Sequence, residues 1–418
     1  MKILLKSATI VDDASKHHQQ QKDILIENGK IVKIAPSVDA SDGTQVISLE
    51  NLHVSSGWFD SSVSFGEPGF EERETIENGL QTAAHSGFTN VALNTNTNPV
   101  ADSKGIIQFI KSKAEFHAVN LYPIGALTVG SQGVDLAELF DMKSEGAVSF
   151  YDYKNPISNA NLLKIALQYC QNFDGLVQSF PLEKSVARNG QVHEDVQSTR
   201  LGLRGIPAFS EELQINRDLA ILEYTGGKLH FPTVSTKNSV AMIRDAKKRG
   251  LNVSCSVAIF NLILNDSVLE SFDSNYKLMP PLRSDEDIEA LIEGLKDGTI
   301  DGVTSDHNPI DVERKKLEFE YAYFGSIGLE SCFGALNKTV GVAHAVKALN
   351  RLKAIFEVPT HTLAEGQIAD LTLFNPYKEW TFTKNDILST SKNAALIDLK
   401  LKGKSYGIFA NNQLILID

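Results

Sequence analysis

Apolar and polar residues alternate in short stretches at both ends of the chain, a pattern typical of β-strands. Near the amino terminus, Ile24-Leu25-Ile26 and Ile31-Val32-Lys33-Ile34 flank Asn28-Gly29. This pair favours a two-residue hairpin turn, because both residues tolerate a positive φ. Near the carboxyl terminus, residues 370–374 predict a strand and residues 408–416 predict a hairpin. We expect strands from the two ends to pair with each other.

The middle of the chain has a different pattern, in which short apolar runs recur with helical stretches between them. Such spacing indicates repeated βα units. Ser284 and Asp287 predict the start of one of these helices, because they form a capping box ahead of apolar residues at helical spacing. The predicted strands are Phe59 to Val63, Thr89 to Asn94, Leu121 to Leu127, Ala147 to Asp152, Leu176 to Phe180, Lys228 to Val234, Asn252 to Ala258 and Gly302 to His307.

Eight strands alternating with helices predict an α/β fold of the (β/α)8 barrel type. A doubly wound open sheet is the competing architecture. We expect the two β-rich chain ends, residues 1–52 and 366–418, to form a second, smaller domain and residues 53–365 to form the barrel. The active sites of such barrels lie at the carboxyl ends of the strands, so candidate residues should follow the apolar runs.

Composition and charge indicate which partners and which cellular location to expect. The net charge of -12 argues against nucleic acid or an anionic membrane surface as a partner, because both require clustered lysine and arginine. No apolar run is long enough to span a membrane and no signal peptide is evident, so we expect a cytoplasmic protein. The three cysteines are widely spaced, and we interpret them as small buried hydrophobic residues.

The predicted strand ends are polar but poor in metal ligands. A hydrolytic zinc site needs three or more imidazole, thiolate or carboxylate groups around one ion, and only Asp152, Asp306 and His307 qualify. The residues at or just beyond these ends are Ser62, Ser64, Asn94, Asn96, Asp152, Gln178, Thr233, Phe260, Asn261, Asp306 and His307.

Other candidate site residues have simple structural interpretations. His230 lies in the sixth predicted strand, where we expect a buried imidazole hydrogen-bonded to backbone. Ser62 and Ser64 lack the context of a nucleophile elbow. Asp306 is a candidate general base, although an aspartate that fixes the turn before Pro309 is an equally simple interpretation.

Several segments resemble the dihydroorotase family of the amidohydrolase superfamily. The resemblance is closest to the noncatalytic chains of that family associated with aspartate carbamoyltransferase. The matching segments span most of the chain and are Gly57-Trp58-Phe59-Asp60 through Glu67-Pro68-Gly69, Gly87-Phe88-Thr89 through Asn96-Thr97-Asn98-Pro99-Val100, Leu201-Gly202-Leu203 with Gly205-Ile206-Pro207, Val234-Ser235-Thr236, Pro280-Pro281-Leu282-Arg283, Gly328-Leu329-Glu330 and Gly366 to Pro376.

The resemblance implies a (β/α)8 barrel with a β-sandwich and a zinc-dependent reaction on the cyclic amide of dihydroorotate. This chain departs from the family at the metal ligands. Ser62 and Ser64 replace the family's HxH pair, and Gln178 and Thr233 replace two further histidines. Either Asp152 or Tyr153 aligns with a carboxylate ligand, and Asp306 matches an aspartate. We therefore expect a degenerate metal site that holds no zinc and a vestigial catalytic Asp306.

Substrate-binding positions depart as well. Gly66, Met279 and Ile310 replace an arginine, an asparagine and a histidine of the family, whereas Asn96 is retained. Losing the arginine removes the bidentate contact to the substrate carboxylate. Asn96, together with His307, remains as a candidate substrate-binding residue.

These departures predict a dihydroorotase homologue of pyrimidine biosynthesis without catalysis. The resemblance implies aspartate carbamoyltransferase as its partner and a homodimer as its assembly. A working cyclic-amide hydrolase is an alternative, in which an unusual zinc site or a metal-free constellation would draw on Asp152, Tyr153, Asp306 and His307. A second alternative is a small-molecule binding module that uses Asn96 and Asp306.

Overall fold

The computed structural model describes residues 1–417 and alternates strands with helices through the middle of the chain. The strands are β1 (Lys2–Ile10), β2 (Gln21–Glu27), β3 (Lys30–Ala35), β4 (Gln45–Ile47), β5 (His53–Ser56), β6 (Trp58–Val63), β7 (Phe88–Leu93), β8 (Asn120–Pro123), β9 (Leu176–Gln178), β10 (Val192–His193), β11 (Gly205–Ile206), β12 (Lys228–Phe231), β13 (Val253–Ala258), β14 (Gly302–Thr304), β15 (Leu371–Thr381), β16 (Lys400–Ala410) and β17 (Gln413–Leu416). The helices are α1 (Ile76–His85), α2 (Lys104–Lys113), α3 (Leu139–Glu145), α4 (Ala160–Cys170), α5 (Lys184–Ala187), α6 (Val196–Leu201), α7 (Ala208–Thr225), α8 (Lys237–Lys248), α9 (Asp285–Asp297), α10 (Val312–Lys315), α11 (Leu329–Val340), α12 (Val342–Ala348) and α13 (Leu352–Ile355).

Strands from both chain ends form one sheet in the order β17-β16-β15-β5-β1-β2-β3, with β4 added alongside β1. The predicted pairing of the two ends is confirmed, because β15 runs antiparallel to β5. The predicted hairpin is also confirmed: β2 and β3 are joined at Asn28 and Gly29, whose φ angles are 49° and 75°. The sheet encloses its own apolar core, which includes Ile24, Leu371 and Phe409.

The boundary between this β-sandwich and the barrel differs from the expected one. Residues 53–56 form β5, which pairs with β1 and β15, so the sheet continues past residue 52 and the barrel begins at Trp58. Conversely, Phe382, Ile387 and Leu396 lie within the expected sandwich segment but pack into the barrel core. Alternation along the chain could not reveal this exchange, because it depends on tertiary packing.

The barrel closes as a ring of eight parallel wall segments. Strands β6, β7 and β8 form one arc, strands β9, β12, β13 and β14 form the other, and a bridge between Val63 and His307 joins β6 to the segment after β14. The predicted fourth strand, residues 147–152, makes only isolated bridges from Phe150 to Gly125 and Val177. On the β8 side, Pro123 accepts a hydrogen bond from the Val148 N–H at 3.1 Å but offers no N–H in return.

Apolar side chains close the amino-terminal end of the barrel. Phe59 packs against Phe356 with ring centroids 5.6 Å apart, in a cluster that also holds Ile124 and Leu176. The backbone N–H of Phe59 donates to the carbonyl of Leu349, which holds the end of α12 against β6. The interior is therefore a packed core, and chemistry is confined to the carboxyl ends of the strands.

Local signals read from the sequence recur in the structure. Helix α9 begins after Ser284, whose side chain forms the predicted capping box with Asp287. Cys170, Cys255 and Cys332 are free thiols and all three are buried, as expected. In the described part of the chain, none of the helices combines the length and hydropathy that a membrane span requires.

Candidate functional site

Small polar side chains hydrogen-bond to one another at the positions where the family has its first two histidines. The Asn94 Nδ2 amide, at the end of β7, donates to Ser62 Oγ at 3.1 Å and to Ser64 Oγ at 3.2 Å. All three side chains are buried. The amide thus ties the first two strands of the barrel together and uses the hydroxyls as hydrogen-bond acceptors.

Asp60 fixes the neighbouring wall of the barrel. Its carboxylate accepts a hydrogen bond from Thr304 Oγ1 at 2.5 Å and from the Ser305 backbone N–H at 3.0 Å, so it joins β6 to β14. Complete burial raises the pKa of Asp60 above its ordinary value, although these hydrogen bonds act in the opposite direction. Asp60 therefore has a positioning role for the strand end that carries Asp306.

Asp306 is bound to a lysine. The Lys154 Nζ ammonium lies 2.7 Å from Asp306 Oδ2, and the two side chains are only 12% and 5% exposed. Burial raises the pKa of Asp306, whereas the adjacent ammonium opposes that rise. The other oxygen, Oδ1, is buried without a hydrogen-bond partner among residues 1–417. The ammonium thus occupies one side of the carboxylate that would otherwise serve as a base or a ligand.

The adjacent residues Asp152 and Tyr153 have different surroundings in the structure. The Asp152 carboxylate accepts hydrogen bonds from the Thr128 N–H at 3.0 Å and from the Thr128 hydroxyl at 2.5 Å, so it fastens the loop after β8. Tyr153 instead lies beside Lys154, with Nζ 5.1 Å from its ring centroid. Burial raises the pKa of Tyr153 well above its ordinary value, and the charge of Asp306 adds to the rise. Tyr153 is therefore the residue that shares the mouth with Asp306.

The two remaining degenerate ligand positions carry uncharged side chains. Gln178 Nε2 donates to Ser149 Oγ at 2.7 Å. Thr233 has a φ of 51°, and its buried Oγ1 has no hydrogen-bond partner within residues 1–417. Met279 packs with Tyr153 against the apolar cluster that fills the barrel. These positions provide no imidazole to the mouth.

His307 and Asn96, the two candidate substrate-binding residues, lie in different surroundings. The His307 ring is fully buried, its Nδ1 accepts from the Gly328 N–H at 3.2 Å, and its Nε2 lies 3.9 Å from Glu74 Oε2. Its ring therefore connects the strand end to α11 and is enclosed by protein. Asn96 is only partly buried, and its Oδ1 atom is enclosed without a partner in the described chain.

His230 is a buried imidazole, as expected, but its partners differ from those expected. Its ring nitrogens are hydrogen-bonded to the hydroxyls of Ser254, at 2.8 Å, and Ser256, at 3.1 Å, rather than to backbone. Burial lowers the pKa of His230 to about 3. The ring is therefore neutral and has no nitrogen left for a metal.

Gly66 occupies the position of the family's substrate-binding arginine, and the backbone of Phe70 packs directly against it. A Cβ atom at this position would lie 1.7 Å from the Phe70 carbonyl oxygen. The Phe70 N–H donates to the Gly66 carbonyl at 2.8 Å, which holds the loop in this place. A larger side chain therefore cannot return without movement of the loop.

The side chains at these positions do not fit the zinc ion that the resemblance implies. Zinc prefers thiolate, imidazole and carboxylate ligands, whereas these positions offer hydroxyls, an amide and two carboxylates that are already held, Asp152 by Thr128 and Asp306 by Lys154. Within residues 1–417, no group of three or more histidine, cysteine, aspartate and glutamate side chains could hold a metal ion.

Sequence reasoning did not identify Lys154 as a site residue. In the sequence, Lys154 directly follows Asp152 and Tyr153 at the end of the fourth predicted strand. From there its side chain can reach the end of the eighth strand only if the barrel is closed. The link from Asn94 to both serines also went unrecognised, although Asn94 stood among the strand-end residues.

Comparisons with known proteins agree with this architecture. A family model described as dihydro-orotase-like matches residues 53–239. A dihydroorotase from Pelotomaculum thermopropionicum is 39% identical over 100% of this chain and 99% of its own length. A dihydroorotase from Syntrophus aciditrophicus is 38% identical over 97% of this chain and 96% of its own length.

Solved structures show the same fold at lower identity. The L-hydantoinase (dihydropyrimidinase) of Arthrobacter aurescens superposes with a TM-score of 0.86 at 20% identity and covers 99% of this chain and 96% of its own. The dihydropyrimidinase of Brevibacillus agri gives a TM-score of 0.83 at 20% identity and covers 100% and 95%. The solved structures share the (β/α)8 barrel and the β-sandwich formed by the chain ends, and the full-length relatives show that this chain belongs to the dihydroorotase family.

Proposed function

We propose that this chain is a noncatalytic dihydroorotase homologue that serves pyrimidine biosynthesis as a structural partner of aspartate carbamoyltransferase and works without zinc. The ion pair between Lys154 and Asp306 carries the proposal. It places a fixed positive charge 2.7 Å from Asp306, and the other strand-end carboxylate, Asp152, is held by Thr128. A carboxylate bound in this way is neither a free general base nor a good ligand for a second cation.

The remaining machinery of a hydrolytic reaction is also missing from the mouth. Attack on a cyclic amide needs an activated water and a group that polarises the carbonyl, both of which zinc supplies in metal-dependent hydrolases. Here the hydroxyls of Ser62 and Ser64 accept hydrogen bonds from Asn94. The backbone over Gly66 leaves no room for an arginine to hold a substrate carboxylate.

The preserved scaffold supports a structural role. The barrel, the capping box at Ser284 and the sandwich are present, whereas the departures from the family are concentrated at the strand ends where chemistry would take place. Loss of chemistry with retention of fold is expected when selection acts on an interaction surface and no longer on turnover. We include a homodimer in this proposal, as the resemblance implies.

Co-expression with the aspartate carbamoyltransferase of the same organism tests the proposed partnership. Size-exclusion chromatography with light scattering should show both chains in one particle, and the chain alone should have twice the mass of its 45.8 kDa monomer. Separate elution of the two proteins at micromolar concentration would contradict the partnership. A monomeric mass for the chain alone would contradict the homodimer only.

Two orphaned acceptors favour a second candidate function, the binding of a small molecule without turnover. Asn96 Oδ1 and Asp306 Oδ1 are enclosed and have no hydrogen-bond partner in the described chain. Buried acceptors of this kind require a donor from water or from a ligand. Saturable binding of dihydroorotate or carbamoyl aspartate, measured calorimetrically and without conversion, would favour this function. Metal-dependent conversion would instead indicate a working hydrolase.

A further inference from the structure

A cleft separate from the barrel mouth lies where β15 and β16 of the β-sandwich meet α11. It has a volume of about 380 Å³, and its lining includes Lys338, Glu379, Trp380, Lys400 and Lys402. Clefts of about 300–1,000 Å³ are the usual size of ligand-binding sites in proteins. The size of this cleft therefore permits a ligand, and its side chains indicate which kind.

Three lysine side chains give the cleft its positive charge. Lys400 and Lys402 are exposed residues of β16, and Lys338 is exposed on α11. The Lys338 ammonium donates to the Lys400 backbone carbonyl at 2.6 Å, which holds it beside the strand. Within residues 1–417, none of the three lies within ion-pair distance of an aspartate or glutamate. Their charges are therefore uncompensated by the described chain.

The acidic side chain of the cleft leaves this charge in excess. Glu379 lies directly opposite Lys402 in the β15–β16 ladder, and it is the carboxylate of the lining. The next lysine of β16, Lys404, is already paired with Asp386, whose Oδ1 lies 3.0 Å from Nζ. The lining thus has three ammonium groups and one carboxylate, on a chain with a net charge of -12. A local positive excess of this kind is complementary to an acidic partner.

The spacing of the two strand lysines fits an extended chain. Lys400 and Lys402 flank the buried Leu401, so their side chains leave β16 on the same face. Two residues of a strand advance by about 6.6–6.8 Å. Alternate side chains of an extended partner segment have the same spacing and also point to one side. Two carboxylates separated by one residue can therefore meet both ammonium groups at once.

A long polyanion fits this surface less well than a short acidic segment. A nucleic acid carries its charges well beyond a cleft of this size, where the net charge of -12 repels them. A segment of a few residues places its carboxylates inside the cleft alone. The cleft therefore favours a protein partner over a nucleic acid.

We propose that this cleft binds an acidic segment of a partner protein in an extended conformation. Carboxylates at two alternate positions of the segment pair with Lys400 and Lys402, and a further carboxylate pairs with Lys338. Ion pairs at an exposed surface are individually weak and are screened by salt, so the contact is of low affinity and sensitive to ionic strength. The proposal does not depend on the state of the barrel mouth or on the partnership with aspartate carbamoyltransferase.

Titration of the full chain with an acidic peptide tests the proposal. The probe is a peptide in which three glutamates alternate with threonines. The Trp380 indole N–H, which donates to the Gly403 carbonyl at 2.9 Å, reports from the cleft in a ¹⁵N correlation spectrum. Its signal should shift saturably at low ionic strength with a dissociation constant on the order of 1 mM, while that of the buried Trp58 stays in place. Salt at about 0.5 M should weaken binding by about fivefold or more.

Charge variants locate the site and provide controls. Lys400→Glu combined with Lys402→Glu should weaken peptide binding by about tenfold or more. Lys16→Glu combined with Lys33→Glu makes the same change in net charge at exposed positions of the amino-terminal segment, and it should bind the peptide as the wild type does. Glu379→Gln removes the like charge from the lining and should tighten binding by about twofold.

Two further probes distinguish the kind of partner. A peptide of the same composition with its three glutamates adjacent in sequence turns them to alternate sides when extended, so it should bind about threefold more weakly. A single-stranded oligothymidylate of about 30 nucleotides should bind more weakly than the alternating peptide, because most of its charges fall outside the cleft.

Four results would overturn the proposal. The first is the absence of a saturable Trp380 shift at up to about 10 mM peptide, well above the expected dissociation constant. The second is undiminished binding by a Lys400→Glu, Lys402→Glu variant with the melting temperature of the wild type, or weaker binding by Glu379→Gln. The third is equal binding of the two peptides, which would contradict the extended arrangement. The fourth is tighter binding of the oligothymidylate, which would identify the surface as one for nucleic acid.

Discussion

Lys154 and Asp306 face each other across the barrel mouth, with Nζ 2.7 Å from Oδ2. The two residues come from the fourth and eighth wall segments, so their ion pair joins parts of the barrel that are far apart in sequence. The lysine places its positive charge against the carboxylate that matches a zinc ligand in the family.

Removal of one partner should leave a buried charge uncompensated. Lys154→Met is expected to lower the free energy of unfolding by about 3 kcal/mol, as is typical when a buried pair is broken from one side. The double variant Lys154→Met with Asp306→Leu should recover most of that loss, because neither charge remains. Denaturant unfolding of the wild type, both single variants and the double variant gives the coupling energy.

An exposed ion pair provides the matched control for that cycle. Lys237 lies 2.6 Å from Glu286, and both side chains are more than half exposed. Lys237→Met should change stability by less than about 1 kcal/mol. Equal losses for the Lys154 and Lys237 variants would show that the buried pair has no special role.

Restoration of the four histidines should not restore the enzyme. A variant with Ser62, Ser64, Gln178 and Thr233 all changed to histidine is expected to bind zinc weakly, because Lys154 still neutralises Asp306. Adding Lys154→Ala should strengthen zinc binding by at least about tenfold, since a positive charge next to the ion is removed. Calorimetry with zinc measures both values.

The same variants should remain without dihydroorotase turnover. The backbone over Gly66 and the methionine at position 279 still prevent the family's contacts to substrate. Strong turnover in the histidine variant would show that these losses on the substrate side matter little.

The close contact between Gly66 and the Phe70 carbonyl can be tested by adding one methyl group at position 66. Gly66→Ala should lower the free energy of unfolding by about 1–3 kcal/mol, because its Cβ would overlap the Phe70 carbonyl oxygen. Gly105→Ala is the control, since no atom lies within 4 Å of a Cβ at that position in α2. It should be neutral or stabilising by up to about 1 kcal/mol. Equal effects of the two substitutions would contradict the closed loop.

The free energy of unfolding should increase with pH because Lys315 is buried. Lys315 Nζ donates to the carbonyls of Tyr323, at 3.0 Å, and Gly325, at 2.7 Å, and burial lowers its pKa to about 7. An unfolded lysine keeps its proton to about pH 10.4, so the unfolded chain binds more protons between these values. Folding therefore gains stability as pH rises through this range and loses it as pH falls towards 7.

Comparison of variants isolates this effect from other titrating groups. The wild type should gain up to about 1.4 kcal/mol per pH unit from Lys315 between about pH 7 and pH 9. Lys315→Met should lack this gain, whereas Lys316→Met, which alters the exposed neighbour, should retain it. Burial also lowers the pKa of Lys277, to about 8, so some positive slope should persist in the Lys315 variant. Identical slopes in the wild type and Lys315→Met would contradict the prediction.

The sequence predicted the fold well where local chemistry determines it. Asn28-Gly29 specifies a tight hairpin and Ser284 specifies a helix start, because each acts through neighbours within a few residues. The fourth wall segment was harder to define, since its pairing with the neighbouring strand β8 lacks the N–H that Pro123 cannot supply. The boundary after β5 likewise depends on which sheet accepts that strand.

The site could be predicted only in part. Loss of the histidines is visible in the residue types alone, but the partner of Asp306 is not, because Lys154 reaches it from the opposite side of a closed ring. The contact between Thr128 and the Asp152 carboxylate was equally hidden, because it joins the loop after β8 to the fourth segment. Long-range contacts of this kind have no periodic signal in a single sequence.

The measurement that tests the central claim most directly is elemental analysis of the purified chain, paired with a dihydroorotase assay with and without added zinc. We expect no stoichiometric metal and no turnover under either condition, because Ser62, Ser64, Gln178 and Thr233 supply no imidazole and Lys154 is bound to Asp306. Stoichiometric zinc together with zinc-dependent turnover would contradict a noncatalytic role and would show that other residues of this barrel form a working site.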